Sequence, residues 1–134
     1  MPRLLVVLQN AWGSTPKIRR QIRSRRLYLV MVMFWNSRTG KRLSKMIPPG
    51  WEVVVINASP RISSSSTEVF PPDVSHLSEW VRKTRPDVVL GCGKVAHRGL
   101  DLLGVTYISA PHPAWRSLSE RTISRVRKTI KEAG

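Results

Sequence analysis

Apolar and polar positions divide this chain into short alternating blocks. Arg3 to Leu8 is an apolar run that stops at the polar turn Gln9 to Gly13. Its length and valine content predict a buried strand. Leu27 to Trp35 is continuously apolar, a pattern that fits strand and helix equally well. Asn36 to Gly40 reads as a turn. Lys41 to Ile47 reads as a short helix with Leu43, Met46 and Ile47 on one side, ended by Pro48-Pro49-Gly50. Glu52 to Asn57 is the clearest strand, rich in β-branched residues and closed by a polar Asn. Ala58 to Pro72 is a long polar loop, of the kind that is functional or mobile in a compact domain. Val74, Leu77, Trp80 and Val81 then recur at helical spacing within Asp73 to Thr84. Asp87 to Leu90 predicts a strand turning at Gly91-Cys92-Gly93 into a helix over Lys94 to Leu103. Gly104 to Ser109 predicts a last strand, and a basic helix runs from about Leu118 to Lys131.

Four short strands alternating with helices imply an α/β fold: a three-layer sandwich with a central four-stranded, mostly parallel sheet flanked by helices. No repeat and no second boundary interrupts residues 1–134, so one domain is expected. In such sheets the ligand site forms outside the carboxyl ends of the strands. The polar segments at those ends are Gln9–Gly13, Asn57–Arg61, Gly91–Lys94 and His112–Arg116.

Charge narrows the partners. The chain of 134 residues holds 23 Lys and Arg against 8 Asp and Glu, a formal charge of +15. That excess calls for a polyanion, with nucleic acid first. Lys17, Arg19, Arg20, Arg23, Arg25 and Arg26 crowd one segment that reads as a phosphate-binding surface. One cysteine excludes an internal disulfide and a cysteine-built metal site. The longest apolar run is far shorter than the roughly 20 residues of a membrane helix. The amino terminus lacks a signal-peptide cleavage pattern. The expectation is a cytoplasmic, monomeric protein, nucleoid-associated or in the host cytoplasm if viral. Its small size and terse loops suit a compact genome such as a phage.

Several motifs fail on chemistry. Gly91-Cys92-Gly93-Lys94-Val95-Ala96 follows a strand like a dinucleotide fingerprint, but no acid stands about 20 positions on to hold a ribose. Those glycines read as close strand–helix packing. Thr39-Gly40-Lys41 lacks the first glycine of a P-loop, and Arg42 stands where a magnesium-binding hydroxyl is needed. His76, His97 and His112 have no metal-ligand spacing. His76 and His97 read as surface or core residues and Cys92 as a buried structural thiol. Ser63–Ser66 lacks a nucleophile-elbow context. No cofactor or metal is expected.

Three strand-end elements remain: Gln9-Asn10-Ala11-Trp12-Gly13, Val55-Ile56-Asn57 and His112-Pro113-Ala114. Phe34-Trp35 and Ser37 to Leu43 lie between the first two. In this order and spacing the chain resembles the uracil-DNA glycosylase superfamily from Arg3 to about Arg121. The resemblance implies excision of a flipped base by cleavage of its N-glycosidic bond. Asn57 matches the superfamily's base-reading Asn, whose amide offers one acceptor and one donor edge. His112 matches the His that stabilises the anionic leaving base, as an oxyanion hole would. Phe34 matches the stacking aromatic, with Trp35 as a rival. Gln9, Ala11 and Pro113 fall at substrate-binding positions. Asn10 falls where the polar residue positions the attacking water, although Asn cannot be a general base.

The chain also departs from the superfamily. Trp12 replaces a proline, and Ala11 replaces the Asp or Asn of some branches. Ala114 replaces the usual Ser of His-Pro-Ser, and the iron–sulfur cysteines are absent. Trp115, Arg116 and Leu118 stand where a wedge would enter DNA. Arg19, Arg20, Arg23, Arg121 and Arg125 are the expected backbone contacts, on single- or double-stranded DNA. The leading expectation is a monofunctional glycosylase for uracil or a related modified pyrimidine. Two alternatives stay open: a catalytically silent DNA-binding relative, and a basic α/β protein that binds RNA or a nucleotide.

Overall fold

The structure is a computed structural model that describes residues 1–12, 15–23, 34–65 and 67–134. Gly13, Arg25, Arg26, residues 27–33 of the apolar run and Ser66 lie outside the described residues. In chain order the elements are β1 (Arg3–Leu8), β2 (Ala11–Trp12), α1 (Pro16–Arg23), α2 (Arg38–Met46), β3 (Glu52–Asn57), β4 (Ile62–Ser63), α3 (Val74–Thr84), β5 (Val88–Cys92), α4 (Lys94–Leu103), β6 (Ile108–Ala110) and α5 (Glu120–Ala133).

β3, β1, β5 and β6 form one sheet in that order, and every pairing in it is parallel. The two central strands are the most deeply buried in the sheet. Leu4 to Leu8 and Val88 to Cys92 are buried throughout, as strands covered on both faces must be. Side chains alternate across the sheet. Leu4, Val6 and Leu8 pack with Leu43 and Met46 of α2 and with Ile123, Val126 and Ile130 of α5. Leu5 and Val7 pack with Leu77 of α3 and with Ala96 and Leu100 of α4. The result is the expected three-layer α/β sandwich. Arg3 staples its amino-terminal edge. The backbone N–H donates to Asp87 at 2.8 Å, Nε to Glu52 at 3.2 Å and Nη1 to the Thr84 carbonyl at 2.5 Å.

Several boundaries differ from the sequence reading. The turn expected at Asn36–Gly40 already starts α2, because the Ser37 hydroxyl accepts from the Gly40 N–H at 3.1 Å and caps the helix. β6 covers only Ile108–Ala110, so Gly104 to Tyr107 is a connection and not strand. The long loop after β3 is pinned: β4 pairs with β2 in a second, two-stranded parallel sheet.

Gly40 sets the approach of the Phe34–Asn36 helical turn to α2. A β-carbon at residue 40 would stand 2.0 Å from the Phe34 carbonyl oxygen and 2.7 Å from the Trp35 α-carbon. In an exposed helix Gly→Ala gains about 1 kcal/mol of propensity. Here backbone blocks the methyl, so Gly40→Ala is expected to lose about 2 kcal/mol net in urea denaturation. Unchanged or raised stability would show that this approach is not close.

Candidate functional site

A cleft of about 1320 Å³ opens at the carboxyl ends of the parallel strands. Its position follows from topology. The crossover from β1 to β3 carries α2 on one face of the sheet, and the crossover from the adjacent β5 to β6 carries α4 on the other. Neighbouring strands whose helices part to opposite faces leave a crevice between them. Leu8 to Ala11 form one wall, Gly93 and Lys94 the other, and Asn57 closes the β3 side.

Within the cleft, Gln9 and Asn57 follow one another across two paired strands, since Leu8 stands in register with Asn57. Both amides are half-buried and neither has a side-chain hydrogen bond among the described residues. Each therefore presents an unused acceptor and donor edge. Asn10 differs. Its Nδ2 donates to the Ala11 carbonyl at 3.2 Å, the Ser63 hydroxyl at 3.4 Å and the Glu68 carbonyl at 3.3 Å. Its Oδ1 accepts from the Phe70 N–H at 3.4 Å. Asn10 lines the cleft, yet its amide is spent on holding the 62–70 loop, which corrects the water-positioning role expected for it.

His112 is half-buried at the end of β6, and burial holds its imidazole below the ordinary value. Its Nδ1 accepts from the Ala114 N–H at 3.1 Å. An accepting Nδ1 carries no proton, so the neutral ring bears its proton on Nε2, which has no partner among the described residues. The site thus holds a neutral imidazole with a fixed donor. Gly93, at φ +90°, lets the ring's backbone approach α4: a β-carbon there would meet the His112 β-carbon at 3.2 Å.

Arg42 of α2 holds the same loop. Its Nη1 donates to the Pro113 carbonyl at 3.0 Å and to the Trp115 carbonyl at 2.7 Å. In the sequence Arg42 is one cation in a basic helix, and nothing marks it apart from its neighbours. Pro113 itself is fully buried, which corrects its expected contact with substrate: its carbonyl serves Arg42 instead. Trp115 is 52% exposed on the cleft rim.

Phe34 lines the cleft and packs at 78° against Trp35, ring centres 5.0 Å apart. Ile22, Arg38, His97, Ser109 and Arg125 also line it. His97 was read as an ordinary helix residue. It is fixed at the cleft wall, with Nε2 2.7 Å from the Gly91 carbonyl and 3.2 Å from the Ser109 hydroxyl, and with its ring stacked on Tyr107. Tyr107 donates to Asp101 at 2.9 Å, and burial together with that carboxylate pushes its hydroxyl pKa up.

Of the expected DNA contacts, Arg125 and Trp115 reach the cleft. Arg19, Arg20, Arg116 and Arg121 lie outside its lining, and the Arg23 side chain lies outside the described residues. Burial pushes the Cys92 thiol up to about 12, so it supplies no thiolate at neutral pH. Among the described residues no cluster of His, Cys, Asp and Glu is placed to hold a metal, and no helix is long and apolar enough to cross a membrane. No Asp or Glu stands among the described cleft-lining residues. Comparison with protein-family models, curated proteins and solved structures returns no match for this chain.

The His112 environment has a sign that can be measured. Its folded value lies below the unfolded value of about 6.5, so the unfolded chain binds more protons between the two. This contribution to stability is complete above about pH 6.5 and is lost as pH falls through the folded value. A proton titration followed by NMR should place the His112 midpoint below 6.5, and His112→Gln should flatten that part of the stability–pH curve. A midpoint at or above 6.5 would contradict the buried neutral ring. Arg42→Met keeps the stem but removes both carbonyl contacts. It should speed hydrogen exchange at the Ala114 amide and move the His112 midpoint back toward 6.5.

Proposed function

We propose that this chain is a DNA glycosylase that cleaves the N-glycosidic bond of uracil or a related modified pyrimidine turned out of the DNA stack. One observation carries the reading: a single cleft holds two unused amides and a neutral imidazole whose free nitrogen is a donor. The ordered strand-end motifs, similar to those of the uracil-DNA glycosylase superfamily, support it.

A pyrimidine edge alternates acceptors and donors, and the Asn57 amide can meet one of each. Phe34 offers a flat face for stacking. When the bond from the sugar carbon to the base nitrogen breaks, its electron pair leaves with the base and charge spreads from that nitrogen to a carbonyl oxygen attached to the ring. The Nε2–H of His112 donates a hydrogen bond to that oxygen without giving up its proton. The sugar is left as an oxocarbenium cation. Water adds to it and loses its proton to solvent, and the base anion takes up a proton. Lys94, Arg38 and Arg125 favour the anionic base and the phosphates around it. The compartment that fits this activity is the cytoplasm, where DNA is accessible.

A second reading rests on a specific observation. The described cleft lining has no carboxylate, and the Asn10 amide is engaged by the 62–70 loop. None of these residues is a carboxylate that could take a proton from the attacking water. That favours slow chemistry or a silent DNA-binding relative.

Single-turnover incubation with uracil-containing oligonucleotides, followed by hot alkali, separates the two. The glycosylase reading expects strand breaks at uracil and none at thymine. Asn57→Ala and His112→Ala should each lower the rate by about 100-fold or more while leaving the melting temperature near wild type. Intact uracil strands at high protein excess, with tight salt-sensitive binding, would transfer the assignment to the silent relative.

A further inference from the structure

Cations are spread unevenly over the two helical layers. α2 carries Arg38, Lys41, Arg42 and Lys45 and no acid, and α5 carries five cations against Glu120 and Glu132. On the opposite face, α3 and α4 together hold four cations against Glu79 and Asp101. The positions on α2 and α5 are ordered. Arg38, Lys41 and Lys45 recur at i, i+3 and i+7. Arg121, Arg125 and Lys128 recur at i, i+4 and i+7. All six are exposed. Such spacing lines each triplet along one stripe of its helix. The opposite sides of these helices, with Leu43, Met46, Ile123, Val126 and Ile130, enter the core.

The stripes are neighbours and both lead to the cleft. α2 and α5 pack on the same face of the sheet, and Lys45 meets Glu120 at 3.8 Å across their junction. Arg38 on one stripe and Arg125 on the other line the cleft. Lys45 and Lys128 have carboxylates at 3.8 and 3.9 Å, in exposed pairs worth little. Arg38, Lys41, Arg121 and Arg125 have no acidic partner among the described residues. Packing does not require these charges, since an exposed helix position takes Gln or Glu as readily. Like charges on adjacent helices repel, and a polyanion laid across them relieves that repulsion.

We propose that the α2–α5 face is a docking track for the phosphodiester backbone of DNA, delivering the strand to the cleft. The direction of the strand rests on the base-binding reading of the cleft, whereas the charge complementarity stands without any cleavage. Arg121 to Lys128 spans about 10 Å of helix. A DNA strand presents a phosphate about every 3.4 Å of its rise, so each stripe faces about three.

The test measures binding of a labelled, uracil-free oligonucleotide, single-stranded and duplex, across a salt series. Two triple variants are compared with the unmodified chain, each checked for an unchanged melting temperature. Lys41→Gln/Arg121→Gln/Lys128→Gln changes the track without touching the cleft lining. Arg82→Gln/Lys83→Gln/Arg98→Gln removes the same charge from the opposite face. The track variant should flatten the slope of log affinity against log salt by about 2 to 3, and the opposite-face variant should leave it unchanged. Equal flattening by both variants, or none by the first, overturns the proposal. So does RNA of the same sequence displacing DNA from the unmodified chain at lower concentration. Cleavage is scored separately on uracil strands at saturating protein. No cleavage with a flattened slope removes the glycosylase reading and leaves the track. Full cleavage with an unmoved slope removes the track alone.

Discussion

The arrangement depends on one constraint: β1 and β5 are adjacent parallel strands, each buried on both faces. A strand of that kind must be covered by helices above and below. The crossover from β1 to β3 carries α2 on one face, and the crossover from β5 to β6 carries α4 on the other. The two crossovers lie on opposite faces, and a crevice is left at the strand ends between them. Polar residues that would be costly inside the sandwich, Gln9, Asn57 and His112, fall at this opening. The cleft is therefore a consequence of how the core is wrapped.

The wrapping also sets the electrostatics of the opening. The layer formed by α2 and α5 contributes Arg38 and Arg125 to the rim, and α4 contributes Lys94 at its first turn. His112 is half-buried beside this rim, and its burial disfavours a protonated ring. Its Nδ1 contact with the Ala114 N–H fixes which nitrogen keeps the proton. Arg42 holds the carbonyls of the same loop from beneath. Orientation of the donor is thus shared between a backbone N–H and a guanidinium from a different layer. A neutral donor does not need its own proton transfer to stabilise a departing anion, and a cationic rim favours that anion further.

Much of this was legible in the sequence because the signals are local. Apolar runs with β-branched residues marked the four strands of the main sheet, and polar residues at their ends marked the cleft. Ser37 was a cap hidden inside what reads as a turn, so α2 began three residues earlier than its apolar spacing showed. The contacts that fix the site were not legible, because they join residues far apart in the chain. Arg42 reaches Pro113 across 71 positions, and Asn10 reaches Phe70 across 60. An arginine in a basic helix and an asparagine in a turn carry no mark of such partners. Pro113 misled for the opposite reason: it belongs to a suggestive motif, yet its ring is fully buried.

The Asn10 contacts bear most directly on what the cleft can do. Had this amide been free, it would have been the natural holder of a water beside Asn57. Instead three of its four hydrogen bonds, to Ser63, Glu68 and Phe70, fasten the loop whose β4 strand pairs with Ala11 and Trp12. The first strand-end motif therefore acts as an anchor for the cleft wall, and the proposed chemistry relies on the leaving-group side. A glycosidic bond can break that way, because the oxocarbenium cation is electrophilic enough to capture water without a base. The proposed division of labour follows: Asn57 and Phe34 hold the base, His112 stabilises its departure, and water attacks unassisted. On the proposed reading such a site trades rate for tolerance of its missing acid, and on the second reading the same geometry holds DNA without cutting it.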